Sequence, residues 1–139
     1  MAGPNTIIAF DYGTRFMGVA VGQLVTGTST PLPHLRMRDG GPPWDAITRL
    51  LQEWQPDQLV GGLPLNMDGS ESDMSRQARR FANRLQGRYG LSVACQDERL
   101  SSFEARQRLS TGGDASGKGG IVDSMAASVI LEHWLASQD

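Results

Sequence analysis

The chain has 139 residues, 39% apolar and 20% charged, which is room for one core and one domain spanning residues 1–139. Thirteen basic and fifteen acidic side chains leave a formal charge of −2, without the overall basicity typical of small DNA-binding modules. Cys95 is the single cysteine, which excludes an internal disulfide and a thiolate zinc site, and no apolar run nears the ~20 residues needed to cross a bilayer. With no secretory pattern in Met1–Asn5, the expectation is a cytoplasmic chain with no membrane partner.

Thr6-Ile7-Ile8-Ala9-Phe10 is a short continuous apolar run, the pattern of a central strand buried on both faces. The turn formers Asp11 to Arg15 lead to a second strand, Met17–Val21, close enough for an antiparallel hairpin. Residues Thr26–Arg36 read as a third strand, confined to a sheet edge by Pro31 and Pro33. From Trp44 the period becomes helical, through Ile47, Leu50, Leu51 and Trp54, and Pro56 stops the helix.

Gln58–Gly62 is the fourth strand and runs into a turn-rich loop from Leu63 to Ser70. Ser70 with Asp73 resembles the start of a second helix, and Gly90 its stop. Leu91–Gln96 is the fifth strand, in which Cys95 is expected to be buried and inert. Ser101 and Glu104 form a capping-box pattern for a short helix to about Leu109. Ser110–Gly120, with five glycines, reads as a mobile loop before a last helix from about Ile121 to Ala136. The Gly112–Gly119 stretch fails as a nucleotide P-loop, since Gly119 stands where Ser or Thr is needed and no strand precedes it.

A three-strand meander followed by right-handed crossovers gives a mixed five-stranded α/β sheet of order 3-2-1-4-5, with helices on both faces. Ligands gather beyond the carboxyl ends of the parallel strands, where Asp11, the Gly61-Gly62 exit and Asp97-Glu98 fall. Two strand spacings separate Asp11 from Asp97-Glu98 by about 10 Å of backbone, a gap that long carboxylate side chains can close on a shared cation. Spacing alone leaves Asp97 and Glu98 both open. Oxygen-only ligands suit magnesium or manganese. Asp123, in the first turn of the last helix, is a third candidate, though a carboxylate there is also favoured by the helix dipole.

Twelve of the thirteen basic residues are arginine, and Lys118 is the exception. Arg76, Arg80, Arg84 and Arg88 recur at four-residue steps, with Arg79 beside them and no acidic residue between Arg76 and Arg88. They face away from the apolar stripe of the same helix, as an ordinary solvated face does. They also form a local positive field able to hold the phosphates of an extended chain. His34 and His133 are isolated and read as structural or surface residues.

Four segments in order resemble the YqgF family, also called RuvX, the RuvC-like pre-16S ribosomal RNA nucleases. They are Phe10-Asp11-Tyr12-Gly13-Thr14-Arg15 with Gly18-Val19-Ala20, Gly62-Leu63-Pro64-Leu65-Asn66-Met67-Asp68-Gly69, Asp97-Glu98-Arg99-Leu100-Ser101, and Val122-Asp123-Ser124-Met125-Ala126-Ala127. The resemblance runs from Ile7 to Trp134. It implies a ribonuclease H-like fold, divalent-metal cleavage of phosphodiesters by Mg2+ or Mn2+, and processing of the 5′ end of the pre-16S rRNA precursor in the bacterial cytoplasm. Carried over by position, it implies Asp11, Glu98 and Asp123 as catalytic and metal-holding residues.

Arg15, Arg76, Arg80, Arg84, Arg99 and Lys118 are the candidates for nucleic-acid contacts. Branched DNA is an alternative substrate, because the resemblance extends to junction resolvases. A non-cleaving RNA-binding factor with ribosome-assembly partners is an alternative role. Asp11-Tyr12-Gly13-Thr14 also looks like the first phosphate loop of sugar kinases and actin, but those close two domains over ATP and this chain has room for one.

Overall fold

The computed structural model describes residues 5–38, 41–98 and 119–138, with side chains in the last stretch from Ser124 onward. The strands are β1 (Thr6–Asp11), β2 (Phe16–Gln23), β3 (Thr28–Arg36), β4 (Gln58–Leu63) and β5 (Val93–Asp97). The helices are α1 (Trp44–Trp54), α2 (Asp73–Tyr89) and α3 (Gly119–Ala136). The sheet order is β3-β2-β1-β4-β5, with β1 antiparallel to β2 and parallel to β4, and β4 parallel to β5. This is the expected order. The expected helix from Ser101 to Leu109 and the Ser110–Gly120 loop lie outside the described residues, apart from the last two glycines, Gly119 and Gly120, which open α3.

β1 sits at the centre because its side chains are apolar on both faces: Ile7, Ile8, Ala9 and Phe10 are all at most 1% exposed. Burying each of the larger ones contributes about 1.5–3 kcal/mol. Ile8 and Phe10 pack with Leu51, Phe81 and Leu85 beneath α1 and α2, whereas Ile7 and Ala9 pack with Ile130 and Leu131 beneath α3. β3, carrying Pro31 and Pro33, takes the edge, where a missing N–H costs no ladder bond.

α1 ends on a left-handed Gln55 (φ 47°) whose N–H reaches the Leu51 carbonyl at 2.8 Å, just before Pro56. α2 starts two residues later than the Ser70 pattern suggests. Ser72 is its cap, with the Ser75 N–H donating to Ser72 Oγ (2.9 Å) and the Ser72 N–H to Ser75 Oγ (2.8 Å). Ser70 instead donates to Asp68 inside the loop. Gly90 (φ 68°) ends α2 in the left-handed conformation that glycine adopts without strain.

Over six consecutive residues, Ala126 to Leu131, each at most 2% exposed, α3 is buried on every side, whereas His133 and Ala136 nearer its end are exposed. Its hydroxyls dock it on the meander. Ser29 Oγ donates to the Ser128 carbonyl (2.9 Å), and Ser124 Oγ accepts from the Val19 N–H (3.4 Å) beside the β2 bulge between Met17 and Val19. No helix among the described residues is long and apolar enough to cross a membrane.

Candidate active site at the carboxyl ends of the parallel strands

The carboxyl ends of β1, β4 and β5 lie side by side at one sheet edge. The pairs Phe10↔Gly61 and Leu63↔Asp97 fix the register, and the Glu98 N–H donates to the Leu63 carbonyl at 3.1 Å. Side chains alternate between faces along a strand. Asp11 shares the parity of Ile7 and Ala9 and therefore lies on the α3 face, 8% exposed.

The same alternation separates Asp97 from Glu98. On β5, Val93 packs with the α1/α2 cluster and Ala94 with the α3 cluster. Glu98 follows Ala94 and Gln96 onto the α3 face, while Asp97 follows Val93 and Cys95 onto the other. Glu98 is 6% exposed, and its side chain runs back over Gly62: a Cβ built there would stand 3.1 Å from Glu98 Cδ and 2.6 Å from Ile130 Cδ1. Gly62 makes this room, and the Glu98 and Ile130 side chains fill it. Gly61 faces α2, 3.8 Å from Ala82 Cβ.

Asp11 and Glu98 are thus two carboxylates, each over nine-tenths buried, on one face of the sheet at the ends of β1 and β5, with β4 between them. Asp123 is the fifth residue of α3 and lies past its first turn, because the helix opens at Gly119 rather than Ile121. It stands one residue before Ser124, whose bond to Val19 anchors that part of the helix next to Gly18, the partner of Asp11 across the β1–β2 ladder. The Asp123 side chain lies outside the described residues, as do Arg99 and Lys118. Among the described residues no three His, Cys, Asp or Glu side chains form a metal-sized group. Oxygen-only donors in a buried setting fit a hard divalent cation.

Arg15 is exposed in the turn after β1, where its carbonyl accepts from the Met37 N–H at 2.9 Å. The preceding Gly13 permits that turn, since a Cβ there would run into the Phe16 carbonyl.

The α2 arginines do not form one uniform face. Arg76 pairs with Asp73 (2.8 Å) and Arg79 with Glu71 (3.2 Å), which raises the Arg79 pKa through that hydrogen bond and its charge. Arg84 and Arg88 lie over the Trp44 ring of α1, 5.1 and 4.3 Å from its centroid. Helical periodicity puts Trp44 on the apolar stripe of α1 and the arginines on the polar face of α2, and carries no signal of this contact between the two helices. Cys95 corrects another expectation: it is exposed, because β5 is an edge strand, and partial desolvation pushes its thiol pKa up, against the pull of nearby Arg79.

The family model RuvX, described as Holliday junction resolvase, matches residues 5–137. A protein of Edwardsiella ictaluri is 53% identical over 136 residues, covering 97% of both chains, and one of Escherichia coli O7:K1 is 53% identical over 131 residues, covering 94% of this chain and 95% of its own. Both carry the name "Putative pre-16S rRNA nuclease". Among solved structures, T. thermophilus RuvC in complex with a Holliday junction substrate matches with a TM-score of 0.54 at 12% identity, over 96% of this chain and 95% of that one. The Fowlpox virus resolvase in complex with substrate Holliday junction DNA matches with a TM-score of 0.55 at 13% identity, over 94% and 98%. At such identities the likeness is one of fold, a RuvC-like ribonuclease H architecture. With a family match across nearly the whole chain and relatives sharing half its residues, the chain belongs to the RuvX family.

Proposed function

We propose that this chain is a single-domain, divalent-metal-dependent nuclease that cleaves structured RNA, processing the 5′ end of the pre-16S rRNA precursor in the cytoplasm among ribosome-assembly partners. Family membership and the name its relatives carry support the nuclease reading. The observation that carries the site is the co-facial burial of Asp11 and Glu98 at the carboxyl ends of β1 and β5. A cation bound between two carboxylates buried on one face offsets their like charge.

Asp11, Glu98 and Asp123 would hold the ion. Magnesium or manganese bound there supplies Lewis-acid polarisation of the scissile phosphate and a more acidic water. Asp11 is fixed by the β1 ladder, and Glu98 by its backbone bond to Leu63 and its path over Gly62. Their oxygens therefore start in place rather than being gathered during the reaction. Arg15, exposed at the same edge, is positioned to meet a substrate phosphate.

The test is cleavage of an RNA spanning the small-subunit 5′ end, beside a four-way DNA junction. Cutting of the RNA with Mg2+ or Mn2+, stopped by chelator and by Asp11→Asn, is expected. Cutting of the junction alone would move the substrate to branched DNA. Metal-independent binding without cleavage of either would replace the nuclease by an assembly factor.

A further inference from the structure

The Trp44 ring is enclosed by Phe81 (centroids 5.6 Å apart), Tyr89 (6.3 Å) and the guanidinium groups of Arg84 and Arg88. Stacking on an aromatic face holds a guanidinium flat and leaves the N–H donors along its edges available. Arg84 and Arg88 are exposed and make no ion pair among the described residues, whereas Arg76 and Arg79 on the same helix are neutralised by Asp73 and Glu71. Arg80, Arg84 and Arg88 follow one line along α2 in steps of about 6 Å.

This line reaches the edge that carries the carboxylates. Phe81 packs on Tyr12 (5.3 Å), the residue after Asp11, and Ala82 lies level with Gly61. Pro43, the residue before Trp44, and Ala46 line a cavity of about 530 Å³ with Arg36 and Arg38, which adds basic side chains at the end of β3. Arg38 is shared there with Asp45 at 3.1 Å. In a chain of net charge −2, two arginines with no ion pair among the described residues are thus gathered around one ring.

We propose that Arg84 and Arg88, held flat by Trp44, form a phosphate-binding platform that grips the RNA strand as it passes over the Tyr12 edge away from the carboxylates. The proposal rests on the nuclease reading for its ligand and adds a second contact surface on the opposite sheet face. Local charge complementarity favours a polyphosphate backbone over an apolar or acidic-peptide partner, because donors recur in register along a rigid helix.

The experiment measures binding of labelled precursor RNA to the full chain in chelator, which separates it from cleavage, at salt concentrations from about 50 to 200 mM. Replacing two phosphate-contacting arginines, in Arg84→Ala/Arg88→Ala, is expected to lower the slope of log affinity against log salt by about 1.4, so the loss over that range becomes about sevenfold smaller. Trp44→Leu, which keeps an apolar side chain and removes the ring face, is expected to weaken binding roughly two- to fivefold at low salt. Arg84→Lys/Arg88→Lys should keep the slope.

Parental affinity and slope in both the double alanine variant and Trp44→Leu, with melting temperature lowered or not, would overturn the platform and leave the stack a helix–helix clamp. Metal-dependent cleavage can persist in that case, so the nuclease reading survives it. Lost RNA affinity in the arginine variants of a chain that never cleaves would remove the nuclease reading and keep the platform.

Discussion

The Glu98 side chain can lie over β4 on the α3 face because Gly62 has no side chain: a Cβ on Gly62 would press on Glu98 Cδ at 3.1 Å and on Ile130 Cδ1 at 2.6 Å. Gly62→Ala is therefore expected to destabilise the fold by roughly 1–3 kcal/mol through overpacking, and to displace the carboxylate as well. Gly61→Ala, whose added methyl would meet Ala82 at an ordinary 3.8 Å, should stay close to the parent. Denaturant unfolding gives the first quantity, and single-turnover cleavage shows whether Gly62→Ala loses rate when fully folded.

Asp11→Asn and Glu98→Gln should each lower the cleavage rate at least ~100-fold, the loss expected on removing a preorganised charge-stabilising group, while RNA affinity is kept. Asp97→Asn should cleave at nearly the parental rate, because strand alternation places Asp97 on the opposite face from Asp11. Rates and affinities measured side by side separate the three. An Asp97 variant as damaged as the Glu98 variant would reverse the assignment.

Ser124 is 4% exposed and gives the bulged Val19 N–H its side-chain acceptor. Ser124→Ala leaves a buried donor with its partner removed, at an expected cost of about 1–3 kcal/mol. Because this bond sits one residue from Asp123, cleavage should fall further than the stability loss alone explains. Comparing single-turnover rates below the melting transition with the unfolding free energy checks both parts.

At the opposite edge of the sheet, Asp57 Oδ2 accepts the N–H groups of Asn5 (3.1 Å) and Thr6 (3.2 Å), and these bonds hold its pKa below the ordinary 3.8. A carboxyl depressed by folding stabilises fully above its unfolded pKa and loses that contribution as pH falls through the folded value. Asp57→Asn should therefore melt lower than the parent at neutral pH by an interval that stays constant down to about pH 4 and closes below it. Thermal melts of both proteins across that range provide the check.

The sheet order was legible because each strand carries its own mark: an all-apolar β1, prolines that send β3 to the edge, and β4 and β5 each entered from a helix stop. Asp11 was legible for the same reason, as the residue that ends the apolar run. The choice between Asp97 and Glu98 needed register, since the face is set by which of Val93 and Ala94 meets which helix. Cys95 was misjudged although the expected order already put β5 at an edge, where alternate side chains meet solvent. The Trp44–Arg84–Arg88 stack was not legible from either helix alone. Each one's amphipathic pattern accounts for its residues, and only the packing of α1 beside α2 brings the ring under the guanidiniums.

Asp11 and Glu98 are expected to grip one divalent ion on the α3 face. Anomalous diffraction from crystals soaked in Mn2+ tests it most directly. A manganese peak is expected within ligand distance of oxygens from both carboxylates, absent in Asp11→Asn crystals. A well-ordered map with both side chains in place and no peak between them, or a peak that survives Asp11→Asn unchanged, would contradict it.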